Sequence, residues 1–171
     1  KMQIYIACGL THVPRDVFSQ YVSYIHELAE QLRAIRGIKK VQYALVDSDP
    51  QLASKPETDR AALCYDWDRR MVEGVDLVLA DASFPSTGLG IELQIAENSG
   101  IPVIMLVGDL GINRVKKVQY QNPDHEQHDL QIGRGIVSLM AVGLPAIRKI
   151  VSYRTFGEAI GGAVEAVRLY C

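Results

Sequence analysis

The sequence lacks the features that mark several specialised classes of protein. It has three cysteines in 171 residues (Cys8, Cys64 and Cys171), and no two of them form a Cys-x-x-Cys pair. Cysteines this widely spaced do not suit the framework of a disulfide-rich secreted protein, so we expect reduced thiols and a cytoplasmic protein. No apolar run reaches the roughly 18 residues that cross a bilayer, and we predict no membrane partner.

Neither sign of charge dominates the chain. It has 18 Lys and Arg against 20 Asp and Glu, a formal net charge of -2, and the two signs are interspersed. A surface for a nucleic-acid polymer needs a basic run or patch, and no such run is present. We therefore predict a small-molecule partner and no nucleic-acid polymer. Any phosphate on that small molecule would be bound by a few local donors.

Strands alternate with helices along the chain. Apolar segments predict strands at residues 3–8, 41–46, 76–82, 102–107 and 147–153, and helical patterns predict helices at about 14–36, 57–73, 88–98, 135–141 and 156–169. Apolar strands that alternate with helices form a parallel sheet covered on both faces. We predict one α/β domain over residues 1–171, with a doubly wound five-stranded parallel sheet in the flavodoxin-like order 2-1-3-4-5.

In such a sheet, ligands bind at the carboxyl ends of the strands, where the strand order reverses between strands 1 and 3. The loop after strand 3 contains Ser86, Gly88 and Gly90 at the start of a predicted helix. Glycines let the backbone approach a ligand closely, and the free N–H groups of a helix start favour an anion. The same residues also suit an ordinary helix cap and turn, so the pattern alone leaves both interpretations open.

Two carboxylates are candidates for chemistry at this edge. Glu92 is expected in the first turn of the helix after strand 3, where the helix dipole favours its ionised form, although a first-turn Glu is also ordinary helix design. Asp68 borders the apolar face of the preceding helix, and it either forms a salt bridge with Arg69 or Arg70 or serves a site. Two neighbouring carboxylates suit cleavage of an N- or O-glycosidic bond, because one stabilises or attacks the sugar cation and the other manages the proton.

The loop after strand 1 offers further donors, since it contains Gly9, Thr11 and His12. A single glycine is not the Gly-x-Gly-x-x-Gly fingerprint, so no dinucleotide cofactor is expected. His12 either holds a phosphate or caps the next helix. The His-x-x-His spacing of His125 and His128 lacks further ligands at known positions, which favours a solvated loop, and we predict no metal.

Two segments of the chain resemble the nucleoside 2-deoxyribosyltransferase superfamily. They are IYIACG at strand 1 and WDRRMVEGVDLVLADASFPSTGLGIELQIAENSGIPVIML. The second segment contains a Gly-x-Gly-x-Glu motif that ends at Glu92. Before this motif, Asp68 lies eight residues ahead of Asp76. The resemblance implies that Glu92 is a nucleophile that attacks C1′ of the sugar. It also implies that Asp68 assists protonation of the base or activation of the acceptor, and that Tyr5 orients the nucleophile.

Ser86 separates two branches of this superfamily. Transferases that act on free nucleosides carry Asp at this position, whereas the branch similar to 2′-deoxynucleoside 5′-phosphate N-hydrolase and to nucleoside monophosphate N-glycosidases carries a serine that binds the 5′-phosphate. A carboxylate beside a dianionic phosphate would be repelled, but a hydroxyl at a helix start donates to it. In the hydrolases a serine of the neighbouring subunit also reaches the phosphate. That resemblance implies a role for Ser138 and a homodimer or higher homo-oligomer with shared sites, and it places His12 where the hydrolase has an arginine.

The resulting prediction is hydrolysis of the N-glycosidic bond of a nucleoside or deoxynucleoside 5′-monophosphate, with Glu92, Asp68 and Tyr5 as the catalytic residues. No cofactor is predicted, because the two carboxylates meet the needs for charge and proton. Two alternatives stay open: a base-exchanging nucleoside 2-deoxyribosyltransferase and a non-catalytic nucleotide-binding sensor. The residues predicted to bind the substrate and its phosphate are Gly9, Thr11, His12, Ser86, Gly88, Gly90 and Ser138.

Overall fold

A five-stranded parallel sheet forms the centre of the computed structural model, which describes residues 1–171. Its strands are β1 (Met2–Cys8), β2 (Ile38–Tyr43), β3 (Leu77–Asp81), β4 (Val103–Gly108) and β7 (Ile147–Tyr153), whereas β5 (Gln119–Gln121) and β6 (Gln127–Asp129) form a separate antiparallel hairpin. The sheet has the order β2-β1-β3-β4-β7, and every neighbouring pair in it is parallel. This confirms the predicted α/β class and strand order, with β7 as the fifth strand of the sheet.

Helices cover both faces of this sheet. They are α1 (Phe18–Arg33), α2 (Ala44–Asp47), α3 (Asp49–Leu52), α4 (Glu57–Glu73), α5 (Thr87–Asn98), α6 (Leu139–Val142) and α7 (Phe156–Arg168). Buried residues of α1 and α7 pack in one hydrophobic cluster, and those of α4 and α5 pack in a second cluster on the opposite face. None of these helices combines the length and the apolar character needed to cross a membrane. The two layers of helices cover the faces of the sheet, so its carboxyl edge is formed by the loops that follow the strands.

The two-residue period of a strand decides which side chains of β1 reach α5. Ile4 and Ile6 pack in the cluster with α1 and α7, whereas Tyr5 and Ala7 pack in the cluster with α4 and α5. Tyr5 is only 1% exposed. The phenol of Tyr5 therefore points into the layer that also holds Glu92 of α5.

Several predicted boundaries are wrong, among them the start of β2 and the end of α1, and three others have a clear local cause. The second strand was expected to reach residue 46, but it ends at Tyr43 because the Asp47 carboxylate accepts the Tyr43 N–H at 2.9 Å and closes a helical turn. Helix α1 begins at Phe18 and not at Pro14, because residues 14–17 form a hydrogen-bonded turn from Val17 N–H to Pro14 O. The helix predicted at about 135–141 is the short α6, which starts only after Ser138.

Candidate active site

Gly9 brings the loop after β1 against the loop after β3. A Cβ atom placed on Gly9 would lie 2.7 Å from Cβ of Ser86 and 3.2 Å from the carbonyl oxygen of Phe84. Contacts this short require a residue without a side chain. Gly9 thus holds the two loops in contact at the reversal point of the sheet, beside the start of α5.

Glu92 lies in the second turn of α5 and not in the first turn as expected. Helix α5 begins at Thr87, so Glu92 is its sixth residue, and no acidic residue is in the first turn. The helix dipole acts mainly within the first turn, so it does not account for the state of this carboxyl. The Oε2 atom of Glu92 is buried and has no hydrogen-bond partner. A buried oxygen without a partner is the most unusual feature of this edge of the sheet.

Burial controls the protonation of Glu92. Desolvation raises the pKa of Glu92, the hydroxyl of Tyr5, within hydrogen-bonding reach, lowers it, and the charge of Asp68 raises it; the net result of these three effects is a pKa of about 8. Burial also raises the pKa of Tyr5 far above its usual value, so its phenol remains a hydrogen-bond donor. The glutamate is therefore mostly protonated at neutral pH in the free protein and becomes ionised at modest cost.

Asp68 faces the same site from α4. The hydroxyl of Ser48 donates to Asp68 Oδ1 at 2.7 Å, and the thiol of Cys64 lies 3.6 Å from Oδ2. Burial, with a smaller contribution from the charge of Asp68, raises the pKa values of Glu92 and of Cys64, the latter to about 11. These three side chains and Glu92 thus form one interacting group, with the two carboxylates close enough to influence each other.

The salt bridges that were the alternative for Asp68 form elsewhere. Arg70 pairs with Asp66 at 2.9 Å, and Arg69 pairs with Asp66 at 3.3 Å and with Glu73 at 3.4 Å. Asp68 therefore has no cationic partner, and its hydrogen-bond donors are a hydroxyl and a thiol.

Ser86 caps α5, as the simpler interpretation of its motif predicts. Its Oγ accepts the N–H of Leu89 at 3.0 Å, and the hydroxyl proton remains free to donate. A Cβ on Gly90 would meet nothing within 4 Å, and one on Gly88 would meet only Ser86 Oγ at 3.8 Å. The backbone of this loop is therefore accessible, so a helix cap and an anion site are compatible here.

Ser138 lies beside Ser86 within the same chain. A cavity of about 180 Å³ is lined by Ser86, Gly90 and Ser138, together with apolar side chains such as Phe84 and Leu89. Ser138 precedes α6 and makes no side-chain capping hydrogen bond, so its hydroxyl is available. The expectation that Ser138 reaches the site of a neighbouring subunit stays a prediction.

Thr11 and His12 lie on the exposed turn before α1. Arg15 shapes this turn, because its guanidinium donates to the Thr11 carbonyl at 2.8 Å and lies over the ring of Phe18 at 5.2 Å. The residue at the helix cap is Val17, so the alternative that His12 caps α1 is wrong. The side chains of Thr11 and His12 face solvent next to Gly9 in sequence, and their role in phosphate binding stays a prediction.

Two other sequence features lie away from this site. Asp76, eight residues after Asp68, accepts the N–H of Gln3 at 2.7 Å at the amino end of β3, which is the opposite edge of the sheet. On the exposed hairpin of β5 and β6, Asp124, Glu126 and His128 have ligand atoms within 4.8 Å of one another. His125 is not part of that group, so the His-x-x-His spacing does not bring its two histidines together.

A buried polar network below the Ser86 loop has no counterpart among the residues predicted from the sequence. Asp81, the last residue of β3, is 0% exposed, and it accepts the hydroxyls of Tyr24 and Tyr153 at 2.7 Å each and the N–H of Ser83 at 3.0 Å. Ser83 Oγ in turn accepts the N–H of Gly108 at 2.8 Å. Burial raises the pKa of Asp81, which has no cationic partner. The network ties the ends of β3, β4 and β7 together, and its only sequence signal is a charged residue that ends an apolar strand.

Ser48 was also missed, because it lies in a polar connection without periodicity. It is 1% exposed and donates to Asp68. No motif marks it, and only the packing of the β2–α4 connection against α4 brings it to the site.

Comparisons with known proteins agree with this geometry at the level of the fold. No protein-family model matches the chain, and no curated protein sequence matches it significantly. A conserved protein from Enterococcus faecalis V583 aligns over 99% of both chains with 17% identity and a TM-score of 0.60. A 2-deoxyribosyltransferase from Bacillus psychrosaccharolyticus aligns over 61% of this chain and 72% of its own, with 18% identity and a TM-score of 0.44. The CMP N-glycosidase BcmB of Clostridium botulinum aligns over 98% of this chain and 99% of its own, with 17% identity and a TM-score of 0.56. The chain therefore shares its fold, over nearly its whole length, with a solved CMP N-glycosidase.

Proposed function

We propose that the protein hydrolyses the N-glycosidic bond of a nucleoside or deoxynucleoside 5′-monophosphate and releases the free base and (deoxy)ribose 5-phosphate. The observation that carries this proposal is the buried, unpartnered Oε2 of Glu92, with the Tyr5 hydroxyl and the Asp68 carboxylate beside it. An unsatisfied buried acceptor costs about 1–3 kcal/mol. That cost is offset when the oxygen meets the positive charge that develops at C1′ as the base departs.

In the first step, the proton that Glu92 holds in the free protein passes to Asp68, and ionised Glu92 attacks C1′ while the bond from C1′ to the base nitrogen breaks. The electron pair of that bond goes to the base, and protonated Asp68 gives its proton to the base. The products are the free base, a glycosyl ester on Glu92 and ionised Asp68. Tyr5 keeps the attacking carboxylate in place, because its phenol stays a donor.

In the second step, water attacks C1′ of the ester and Asp68 accepts a proton from that water. The bond from C1′ to Glu92 breaks, and the carboxylate of Glu92 is restored together with protonated Asp68. Return of the proton from Asp68 to Glu92 restores the free protein, so atoms and charges balance and only water is consumed.

The Ser86 loop supplies the phosphate side of the proposed substrate site. The hydroxyl oxygen of Ser86 accepts the N–H of Leu89, and its carbonyl oxygen accepts the N–H of Gly90. The amides of Thr87 and Gly88 therefore have no partner within the helix. Free amides, an accessible glycine backbone and a hydroxyl donor suit a phosphate monoester. The shared fold with a protein named as a CMP N-glycosidase supports a nucleoside monophosphate over a free nucleoside.

The proposal is tested by incubating the protein with ribo- and deoxynucleosides and their 5′-monophosphates and measuring the released base by chromatography. We expect release from one or more monophosphates and no release from free nucleosides. Glu92→Gln should abolish release, whereas Glu165→Gln, at an exposed position on α7, should leave it unchanged.

Three results would contradict this proposal. Base release from free nucleosides only after a second base is supplied would indicate a transferase. Nucleotide binding without any release would indicate a sensor. An unchanged rate in Glu92→Gln would exclude Glu92 as the nucleophile.

A further inference from the structure

Ser48 is one of only three polar or charged residues that are buried in this chain, with Asp81 and Ser83. Its backbone is fixed on both sides, because its N–H donates to Ala44 O at 3.2 Å and its carbonyl accepts from Leu52 N at 3.0 Å. Its hydroxyl caps neither α2 nor α3. The single hydrogen bond of that hydroxyl goes to Asp68 Oδ1 at 2.7 Å.

From this contact we propose that Ser48 is a positioning residue, which fixes the Asp68 carboxyl so that Oδ2 is the oxygen that exchanges the proton with the base and then with water. This inference rests on the function proposed above. The carboxylate has two oxygens, and the Ser48 hydroxyl occupies the first of them. The hydrogen-bond donor to the second is a weakly donating thiol, Cys64 Sγ at 3.6 Å.

The rest of the connection between β2 and α4 holds Ser48 in place. Asp47 accepts the N–H of Tyr43 at 2.9 Å, and Gln51 Nε2 donates to the carbonyl of Val46 at 3.1 Å. A short bond from a fixed donor restricts the rotation of the Asp68 side chain. A hydroxyl that only filled space here would be costly to bury, and an alanine would suffice in its place.

The mechanism depends on this restriction because one carboxyl group performs two proton transfers. It gives a proton to the base in the first step and takes one from water in the second, on the same side of the sugar. A displacement of reacting groups by about 1 Å can cost on the order of a hundredfold in rate. Loss of the Ser48 hydroxyl should therefore lower kcat and leave KM for the nucleotide nearly unchanged, since Ser48 does not line the Ser86 cavity.

The test compares Ser48→Ala with the wild-type protein on a monophosphate substrate. We expect Ser48→Ala to lower kcat by roughly 10- to 100-fold, the range for a lost hydrogen bond to a charged group, with KM changed less than about threefold. The matched control is Ser54→Ala, because Ser54 lies on the same connection but donates to the carbonyl of Gln51 at 2.9 Å and is exposed. It should keep wild-type kinetics.

A double-mutant cycle separates positioning from a merely structural role. If Ser48 acts through Asp68, Ser48→Ala should cost less than about threefold when added to Asp68→Asn. An equal loss in both backgrounds, or a wild-type kcat in Ser48→Ala, would overturn the proposal. If Ser48→Ala does not fold, Ser48→Cys takes its place, because it keeps the shape with a weaker donor, and it should show an intermediate loss.

A crystal structure of Ser48→Ala decides the proposal even if no nucleotide is hydrolysed by the wild-type protein. In that case the proposed function fails, whereas the positioning of Asp68 is still measurable. We expect the Asp68 carboxyl to adopt another rotamer or more than one. A single unchanged Asp68 rotamer would refute the positioning role independently of activity.

Discussion

The free energy of unfolding is expected to fall between about pH 5 and pH 8 because of Glu92. Burial raises the pKa of this carboxyl from 4.5 to about 8. The unfolded chain has an ordinary glutamate pKa, so between these values the folded protein holds a proton that the unfolded chain has lost. This contribution to stability is complete below the unfolded pKa and disappears as the pH rises through the folded pKa.

The size of this change in unfolding free energy follows from the one proton that the folded protein binds and the unfolded chain does not. A difference of one bound proton changes the unfolding free energy by about 1.4 kcal/mol per pH unit. Between about pH 5.5 and pH 7.5, which lies inside the window, the contribution of Glu92 should fall by about 2.5 kcal/mol. For a chain of this length that is about 5–10 °C in Tm.

Glutamine at position 92 removes the titration and keeps the shape of the side chain. Calorimetric unfolding of the wild-type protein and of Glu92→Gln over this pH range isolates the effect, since all other titrating groups cancel in the difference. We expect the stability of Glu92→Gln relative to wild type to increase by about 2.5 kcal/mol from pH 5.5 to pH 7.5. Glu165→Gln should show no such trend. A pH-independent difference between Glu92→Gln and wild type would refute the conclusion that burial holds Glu92 protonated.

Three other predictions concern activity and packing. Above about pH 8, kcat/KM should fall about tenfold per unit in rate assays, because the carboxylate pair then loses the proton that the base needs; a rise instead would show that Asp68 is not the acid. Ser86→Asp keeps a good helix cap but adds a negative charge, so KM for the monophosphate should rise at least about tenfold relative to Ser86→Ala; equal KM values would exclude phosphate binding there. Gly9→Ala should lower the unfolding free energy by about 1–3 kcal/mol in denaturant melts, because its Cβ would meet Ser86. The control Gly161→Ala, with nothing within 4 Å on α7, should be neutral or stabilising, and a stable Gly9→Ala would refute the close contact.

The fold was predictable because its signals are local. The apolar strands β1, β3 and β4 and the more polar, partly exposed β7 alternate with amphipathic or capped helices, and this alternation indicates a parallel sheet with helices on both faces. The helix α4 was predicted at its observed bounds, Glu57–Glu73. The loop containing Ser86 and Gly90 was also predictable, since strand order places it at the carboxyl edge.

The parts that could not be predicted depend on contacts between distant residues. Leu45 and Val46 continue the apolar pattern of β2, but the hydrogen bond from Tyr43 to Asp47 turns the chain into α2. Ser48 and Asp68 are 20 residues apart, and nothing in the spacing of a polar connection indicates that they meet. The direction of the Glu92 pKa shift is also opposite to the expected one: a first-turn position favours the ionised form, whereas Glu92 lies in the second turn and burial raises its pKa.

The proximity of the two carboxylates fits a reaction in which the pair carries one negative charge at every stage. Below about pH 8 the free protein holds a proton on Glu92, because burial and the charge of Asp68 disfavour a second charge there. The positive charge that develops on the sugar favours ionised Glu92. The proton of Glu92 therefore moves to Asp68, which donates it to the base. Once Glu92 is esterified it is neutral, so Asp68 becomes the single carboxylate and is free to take a proton from water. Hydrolysis regenerates the starting charge. A buried nucleophile beside a hydroxyl-bound acid thus needs no cation to balance it.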